Sequence, residues 1–480
     1  MKKTARNIII LLVVLLALGG AAFWLSSLPK EGDQEESSSS GLETEERISL
    51  FDKEDTDIKS VEVKNSSDQF TILPVQEGSD LSFTLEGYED YDFNKSVLAA
   101  NVRTMLGFKP LKELGSQDKL DAFGLGSDGT RVTVNYKDGG SDELVLGGAS
   151  PETTGKYVLK DGQVYIISGV PDAFYSGKFS YFYTSVYTIP DMVDVTVDDE
   201  GETSETTTTD KLDSFTVSGA GFTDPISIKP SSRYLSGYGI TEPVTAESGN
   251  TKFNELVTSL KSLEASSVVD AGVTDEKLEQ YGLTEPDAKL SFSLNGVEHE
   301  LSVSAKDSDG MRYMLADDND LVYQVDNSAV ANWAEVSVMD LRMSYVWIAN
   351  IKDVKGLKVT LDGEEHSFDI TREKNEEKST DNSTEYDITK ITDGAGNTVE
   401  YDDYQPFYQK LISVAVFSMD KAEYSGAPAV KLEYEYFGGG TDTVEYYEIP
   451  GMNRYAAVLN GGYNGQVRGT DIDAVLKLIP

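Results

Sequence analysis

The sequence predicts an α+β protein in which an N-terminal transmembrane helix precedes tandem repeated modules, each a mainly antiparallel sheet with one packed amphipathic helix. Three observations predict this fold. The chain opens with basic residues and a long apolar run. A stretch beginning at Leu120 is repeated without a gap from Leu278. Segments that alternate apolar and polar residues surround three segments with helical periodicity.

Composition is typical of a globular protein and excludes several functional classes. The 480 residues, 39% apolar and 26% charged, suggest about three domains. The first thirty residues hold four basic residues and no acid, so 37 basic residues face 83 acidic ones in the remainder. A surface of this charge repels nucleic acid and anionic lipid head groups, and no nucleic-acid partner is expected. Without cysteine, disulfides, thiolate metal sites and a cysteine nucleophile are excluded.

Residues 1–28 are predicted to be a membrane anchor. Its apolar run extends from Ile8 to Leu25, with Trp24 near the end. Eighteen helical residues measure about 27 Å, roughly the thickness of the hydrocarbon core. Because a basic flank stays in the cytoplasm, we expect a single-pass plasma-membrane protein with the bulk of the chain extracytoplasmic. The alternative is a cleaved signal peptide, with small residues at 17–22 as the cleavage site.

The rest of the chain is expected to consist of a linker and three units. Residues 29–49 are acidic and Ser-rich, a composition typical of disordered segments. The repeat modules follow, and we call them unit one (50–178), unit two (179–339) and unit three (340–480). Unit three is a degenerate copy. A low-complexity loop at 198–210 interrupts unit two.

Each unit is predicted to contain one amphipathic helix. Apolar residues spaced for a single helical face identify it. They are Val97, Leu98, Val102, Met105 and Leu106 in unit one; Phe253, Leu256, Val257, Leu260 and Leu263 in unit two; and Tyr404, Phe407, Tyr408, Leu411, Ile412, Ala415 and Val416 in unit three.

The repeated stretch centres on a turn for which a structural role is predicted. In both copies an aromatic residue, a glycine and a leucine are consecutive, and a strand follows: Phe123, Gly124 and Leu125 in unit one, and Tyr281, Gly282 and Leu283 in unit two. We expect each glycine to end a short helix with positive φ. The aromatic residue and the leucine would then anchor the turn to the core. In unit three only Pro428, Lys431 and Leu432 align with Pro286, Lys289 and Leu290.

The sequence predicts no catalytic, cofactor-binding or metal-binding residues. Gly124 begins a Gly-x-Gly-x-x-Gly pattern, but a strand follows it where a dinucleotide site needs a helix. His299 and His366 are interpreted as exposed strand residues. The aspartates at 307–309 and 317–320 are interpreted as solvated hairpin turns, with calcium binding as the alternative, although they lack the spacing of an EF-hand loop.

Unit three is rich in tyrosine, which leaves two interpretations open. Tyrosines on strands pack against cross-strand neighbours or form aromatic platforms for glycans and protein partners. The residues concerned are Tyr434, Tyr436, Tyr446, Tyr447, Tyr455 and Tyr463.

The combination of anchor, acidic strands, amphipathic helix and the pattern Leu-x-x-[Phe/Tyr]-Gly-Leu-x-x-Pro resembles the bacterial family of domain of unknown function 4340, DUF4340. Tyr281 to Pro286 carries the motif, and 123–125 is its partner. Unit one has Gly-Ser-Asp where the proline is expected. The resemblance implies two copies over most of 50–335 and a weaker third copy. It also implies association with ABC-type transporters of the gliding-motility type, and it supplies no catalytic residues.

Three hypotheses follow for function. The first is a non-enzymatic, membrane-anchored accessory or binding subunit of an ABC-type transport complex, whose partner is a membrane transport protein. The second is a protein that binds the cell envelope, through wall glycan or another surface polymer. The third is a hydrolase with an unrecognised carboxylate site. The sequence leaves the oligomeric state open.

Overall fold

The computed structural model describes residues 49–197, 203–317, 319–361, 363–380 and 384–480. The predicted anchor at 1–28, with Ile8, Trp24 and Leu25, lies outside these residues, as does the linker up to residue 48. Within the described ranges, no helix is both long and apolar enough to cross a bilayer. The α+β class is confirmed, because the described residues form mainly antiparallel sheets with a few helices.

Unit one contains an eight-stranded sheet with the order β3-β2-β1-β5-β6-β7-β8-β4. Strict alternation of apolar and polar residues produces its central strands, as in Thr130–Tyr136, where every second residue is buried. The elements are β1 (Ile58–Lys64), β2 (Gln69–Glu77), β3 (Asp80–Leu85), α1 (Lys95–Leu106), β4 (Pro110–Gly115), β5 (Thr130–Tyr136), β6 (Ser141–Ala149), β7 (Lys156–Lys160) and β8 (Gln163–Ile167).

Unit two contains a nine-stranded sheet with the order β15-β14-β13-β12-β18-β19-β20-β21-β17. Two short pairs stand beside it, β9 with β16 and β10 with β11. The elements are β9 (Ser185–Thr188), β10 (Val193–Val197), β11 (Thr203–Thr207), β12 (Leu212–Ser218), β13 (Ile226–Pro230), β14 (Tyr238–Glu242), β15 (Ala246–Ser248), α2 (Thr251–Ser259), β16 (Ser262–Glu264), β17 (Ser267–Ala271), α3 (Asp275–Gln280), β18 (Ala288–Leu294), β19 (Val297–Val303), β20 (Met311–Ala316), β21 (Leu321–Asp326), α4 (Asn327–Ala334) and α5 (Val338–Leu341).

Unit three contains an eight-stranded sheet with the order β24-β23-β22-β26-β27-β28-β29-β25. The elements are β22 (Val354–Leu361), β23 (Glu364–Lys374), β24 (Tyr386–Asp393), α6 (Tyr401–Ile412), β25 (Val416–Ser418), β26 (Val430–Tyr436), β27 (Thr441–Glu448), β28 (Arg454–Leu459), β29 (Gly462–Arg468) and α7 (Gly469–Leu476).

The three sheets share one topology. In each, the chain forms a meander of three strands, or of four in unit two, enters the amphipathic helix, and then adds a strand at the opposite edge of the sheet. It returns as four antiparallel strands, the first of which pairs with the first strand of the meander. The segment between the edge strand and the returning strands holds the repeated turn. This connection therefore occupies the same topological position in every unit.

The predicted helical faces differ from the structure at four positions. Val97 lies in α1 but is exposed, because the buried face follows the spacing of Leu98, Val102 and Met105. Leu263 lies in β16, where it pairs with Tyr187. Because α6 ends at Ile412, the last two predicted positions lie beyond it: Ala415 forms a bridge with Tyr345, and Val416 pairs with Val467 in β25.

The buried residues fall into two main cores. One cluster runs continuously from Phe51 to Leu341 and therefore belongs to units one and two together. A second cluster contains residues 346–475 and takes only Tyr234 from unit two. A small third cluster, formed by Leu125, Val145 and Val164, lies under the turn of unit one. Units one and two thus share a core, whereas unit three has its own.

Candidate functional site

The turn of unit one packs tightly on its own sheet. Residues Leu120–Phe123 form a 3-10 helix, and Gly124 ends it with a φ of 69°. The ring of Phe123 meets that of Tyr157 at 4.8 Å between centroids. Leu125 is buried against Val145 and Val164. These side chains pack the turn onto the sheet.

The turn of unit two has the same backbone and an added polar network. Gly282 has a φ of 66°, and the ring of Tyr281 lies 4.7 Å from that of Tyr313. The Tyr281 hydroxyl donates to Asp270 at 3.0 Å, and the Lys277 ammonium lies 2.8 Å from the same carboxylate. Partial burial would raise the pKa of Asp270, but hydrogen bonds, led by that from Lys277, hold it below its ordinary value.

The residues after this turn are held by a buried arginine. Arg312 pairs with Asp287 at 2.7 Å and with Glu335 at 3.0 Å, and it also donates to the side chain of Asn327 at 2.6 Å. The carbonyl of Pro286 accepts from the backbone of Ala220 at 3.0 Å. Leu283 is buried. Each predicted turn residue is therefore engaged within its own unit, and the two turns do not come together in one site.

Unit three departs from this arrangement at the corresponding connection. When Pro428 is aligned with Pro286, Ser425 stands at the position of Leu283, and it is exposed. The preceding residue is aromatic, Tyr424. Its ring meets that of Tyr447 at 4.8 Å and that of Tyr463 at 6.3 Å between centroids. We call these three residues the tyrosine cluster.

A cavity of about 760 Å³ lies at this position, between units two and three. Its walls are mostly apolar. Its lining includes Phe222, Val244 and Val338 from unit two and Met419, Tyr424 and Tyr463 from unit three. We take this inter-unit cavity as the candidate site, because a large, mainly apolar concavity with few polar groups is the usual form of a ligand site.

The charged groups at the cavity already have partners. Lys421 and Asp224 form an ion pair across its mouth, at 3.3 Å, and both are exposed enough for solvent to weaken the pair. The Asp420 carboxylate accepts a hydrogen bond from Ser418 at 2.8 Å. The Tyr463 hydroxyl donates to the Asp420 carbonyl at 2.5 Å. Burial, followed by the charge of Asp420, raises the pKa of Tyr463.

Behind Met419 lies a buried arginine without a carboxylate partner. Arg342 donates to the Asn464 side chain at 2.8 Å and to the carbonyls of Met343 and Tyr345 at 3.0 and 3.2 Å. It also donates to the Asn464 carbonyl and contacts the Met419 sulfur at 3.2 Å. Burial lowers the pKa of Arg342 to about 10. Since Asn464 in turn donates to Thr245 at 2.6 Å, this network joins units two and three.

A second cross-unit contact involves Asp442. Its carboxylate lies 2.5 Å from Arg233 of unit two and accepts a hydrogen bond from Tyr436 at 2.8 Å. The equivalent carboxylate in unit one, Asp142, accepts from Tyr136 at 2.7 Å but pairs with Lys160 of its own unit. The aspartate at this hairpin position thus forms an ion pair within unit one, whereas its equivalent in unit three forms an ion pair with unit two. The sequence alone did not reveal this exchange.

His299 was interpreted as an exposed strand residue, and this interpretation is wrong. Its side chain is only 11% exposed, stacks on Tyr187 at 4.1 Å and lies 2.8 Å from Asp317. The cause is β9, a short strand that covers this part of β19.

The aspartates at 307–309 form a turn, as predicted. Asp307 accepts hydrogen bonds from the backbone of Asp309 and Met311. In the ranges that the structure covers, no three acidic or histidine side chains are grouped to hold a metal.

The shifted carboxylates bear on acid–base chemistry. Within the described part of the chain, every carboxylate with a resolved shift has its pKa lowered, among them Asp142, Asp210, Asp270 and Glu335. Each of these four has a lysine partner. A general acid at neutral pH requires a raised pKa. The lowered pKa values keep these four carboxylates ionised at neutral pH.

The tyrosines of unit three divide between the core and the surface. Tyr434 and Tyr446 are buried in the core of unit three, so they provide no platform. Tyr447 and Tyr463 face outward because side chains alternate along a strand. With Tyr424 they form the tyrosine cluster, which the sequence did not reveal because Tyr424 lies in the degenerate turn.

Comparison with known proteins gives one family match. Residues 239–405 match the family model "Domain of unknown function (DUF4340)". No curated protein and no solved structure matches the chain. The match begins in β14 and ends in α6, so it combines the later part of unit two with the earlier part of unit three. The expected coverage of 50–335 is therefore met only from residue 239 onward, and residues 50–238 lie outside the match. Over residues 239–405, the chain is similar to the DUF4340 family.

Proposed function

We propose that this protein is a membrane-anchored, extracytoplasmic and non-catalytic accessory or binding subunit of an ABC-type transport complex. The observation that carries the proposal is the apolar run Ile8–Leu25 after a basic flank, in a chain that contains a DUF4340 domain. The association of this family with transporters comes from the resemblance. Three modules of one topology suit a binding role, with the first two sharing a core and the third joined to them through polar contacts.

Crosslinking in intact cells, followed by mass spectrometry of the captured proteins, tests the partner. We expect a permease or an ATPase-linked membrane protein among the crosslinked products. A chain with Leu15→Lys and Leu16→Lys, which breaks the apolar run, serves as the matched control and should lose these products. Capture of wall components without any transport protein would contradict the accessory role.

The absence of cysteine gives a direct test of membrane topology. A Ser39→Cys variant should react with a membrane-impermeant maleimide in intact cells. A Lys3→Cys variant should react only after the membrane is permeabilised. The reverse pattern, or equal labelling of both variants in intact cells, would contradict the proposed orientation.

The envelope-binding alternative is favoured by one observation, the tyrosine cluster on the outer side of the unit-three sheet. Aromatic faces of this kind stack on sugar rings. In a sedimentation assay with purified cell walls, this hypothesis predicts that the protein pellets and that Tyr424→Ala reduces pelleting. Tyr345→Ala, at another exposed tyrosine, is the control. Protein that stays wholly in the supernatant would end this alternative.

A further inference from the structure

We propose that the inter-unit cavity binds a small, uncharged, apolar molecule. The site does not depend on the accessory role proposed above. Its volume of about 760 Å³ falls within the range of ligand pockets, roughly 300–1,000 Å³. The cavity is open to solvent between the two units, and its lining exposes more apolar than polar surface.

The repeat explains how the cavity arises. Units one and two each place a buried leucine, Leu125 or Leu283, in the connection that follows the edge strand. Unit three has the exposed Ser425 at this position of the repeat. The lost side chain no longer closes the connection over the sheet. The same connection, residues 419–424, instead becomes one wall of a cavity whose other wall belongs to unit two.

The walls define the chemistry of the occupant. Phe222, Val244 and Val338 supply apolar surface on one side, and Met419 faces them beside the tyrosine cluster. Methionine is flexible and polarizable, so it adapts to ligands of irregular shape and contacts aromatic rings favourably. Burial of an apolar molecule against this surface is favoured by about 25 cal/mol per Å² removed from water.

The charges nearby argue against an anionic ligand. Lys421 is paired with Asp224, and the carboxylate of Asp420, which accepts from the Ser418 hydroxyl, adds a negative charge. The guanidinium of Arg342 lies behind Met419, where neutral acceptors take its hydrogen bonds. An anion would have to lose its water without a free cationic donor, which is strongly unfavourable.

Two hydroxyls are available to orient the ligand. Among the hydrogen bonds of the described residues, none uses the hydroxyl of Tyr424 or that of Thr223, and both residues line the cavity. A hydroxyl can both donate and accept. The best fit is consequently an uncharged molecule with an apolar body and one or two carbonyl, ether or hydroxyl oxygens.

Photolabelling of the full-length protein in lipid vesicles tests this site, with benzophenone as the uncharged probe and 4-benzoylbenzoate as its anionic counterpart. Labelled peptides are identified by mass spectrometry, so probe dissolved in lipid does not obscure the result. We expect saturable benzophenone labelling of the peptide that contains Met419 and Tyr424. The anionic probe, 4-benzoylbenzoate, should label this peptide about tenfold less than benzophenone does, or weaker still.

Two variants fill the cavity from opposite walls, Ala422→Trp from unit three and Thr223→Trp from unit two. Each should reduce labelling by about tenfold or more. Ala395→Trp, in an exposed hairpin of unit three, is the control and should label normally. Urea unfolding of each variant establishes that it is folded. Non-saturable labelling, or normal labelling of both folded filling variants, would overturn the site. Equal labelling by the two probes would overturn the uncharged ligand.

Discussion

Gly124 and Gly282 occupy equivalent turns, yet their surroundings differ. Both have positive φ, at 69° and 66°, where a side chain strains the backbone. A Cβ atom on Gly124 would lie 2.9 Å from the backbone nitrogen of Gly148. A Cβ atom on Gly282 would meet nothing nearer than the Cβ of Ser304, at 3.7 Å. The first glycine is required by conformation and by space, the second by conformation alone.

We expect Gly124→Ala to destabilise the protein more than Gly282→Ala. The left-handed conformation costs about 1–2 kcal/mol in both variants. In Gly124→Ala, the backbone around Gly148 must also shift. Gly296→Ala, with a φ of 77° and an open surrounding, is the control for conformation alone. Urea unfolding measures the three free energies. Equal losses for Gly124→Ala and Gly296→Ala would contradict the close approach.

At the scale of elements, the turn of unit two is held by a titratable carboxylate, Asp270, and the turn of unit one lacks this interaction. Tyr281 and Lys277 both bind Asp270, whereas Phe123 has no hydroxyl to offer. The pKa of Asp270 is lowered in the folded protein. Its contribution to stability is therefore fully present above the unfolded-state pKa, near 3.8, and is lost as pH falls through the lower folded-state pKa.

Asp270→Asn should lower the free energy of unfolding at pH 7 by about 1–2 kcal/mol, because a charge-assisted network is lost. The variant should also lose less stability than the wild type as the pH is lowered below 4. Urea unfolding from pH 2 to 7 measures both effects. Asp307→Asn, at an exposed turn, is the control. Parallel pH profiles for Asp270→Asn and the wild type would contradict this role.

Sequence periodicity predicted the elements well where burial alternates strictly. The pattern of β5 and the spacing of Leu98, Val102 and Met105 in α1 each follow from one apolar face. The end of α2 was missed because Leu263 continues the helical spacing but pairs with Tyr187 in β16. Periodicity reports that a residue is buried. It does not report which element buries it.

The candidate site was beyond sequence reasoning for a related reason. The tyrosines of unit three were visible, but their division between core and surface depends on strand register. The cavity depends on contacts between residues some two hundred positions apart, such as Asp224 with Lys421. The degenerate turn was visible as a lost motif. Only the fold shows that residues of this connection, from Met419 to Tyr424, line an opening.

At the scale of the molecule, units two and three are joined by polar contacts. Arg233 and Asp442 form one, and the Asn464 side chain with the carbonyl of Thr245 forms another. Double substitution at the first pair should reveal the strength of the junction. We expect a coupling energy of about 1 kcal/mol or more between Arg233→Met and Asp442→Asn. The exposed pair Lys252 and Glu255 should give about 0.3 kcal/mol. Equal couplings would show that the junction pair is merely a surface contact.

The two cores predict how the molecule unfolds. Phe215 of unit two belongs to the core shared with unit one, and Phe407 belongs to the core of unit three. Truncation of either buried ring to alanine should cost about 3–5 kcal/mol. Because a cooperative unit responds as a whole, Phe215→Ala should speed native-state amide exchange in β1 of unit one as well as in β12.

Phe215→Ala should leave amide exchange in β26 of unit three close to that of the wild type. Phe407→Ala should give the reverse pattern, with faster exchange in β26 and little change in β1. Hydrogen exchange resolved by mass spectrometry measures all three strands in one experiment. If Phe215→Ala left β1 unchanged, the core would not be shared. If it accelerated β26 equally, units two and three would unfold as one through the polar junction, and the separate core of unit three would confer no independence.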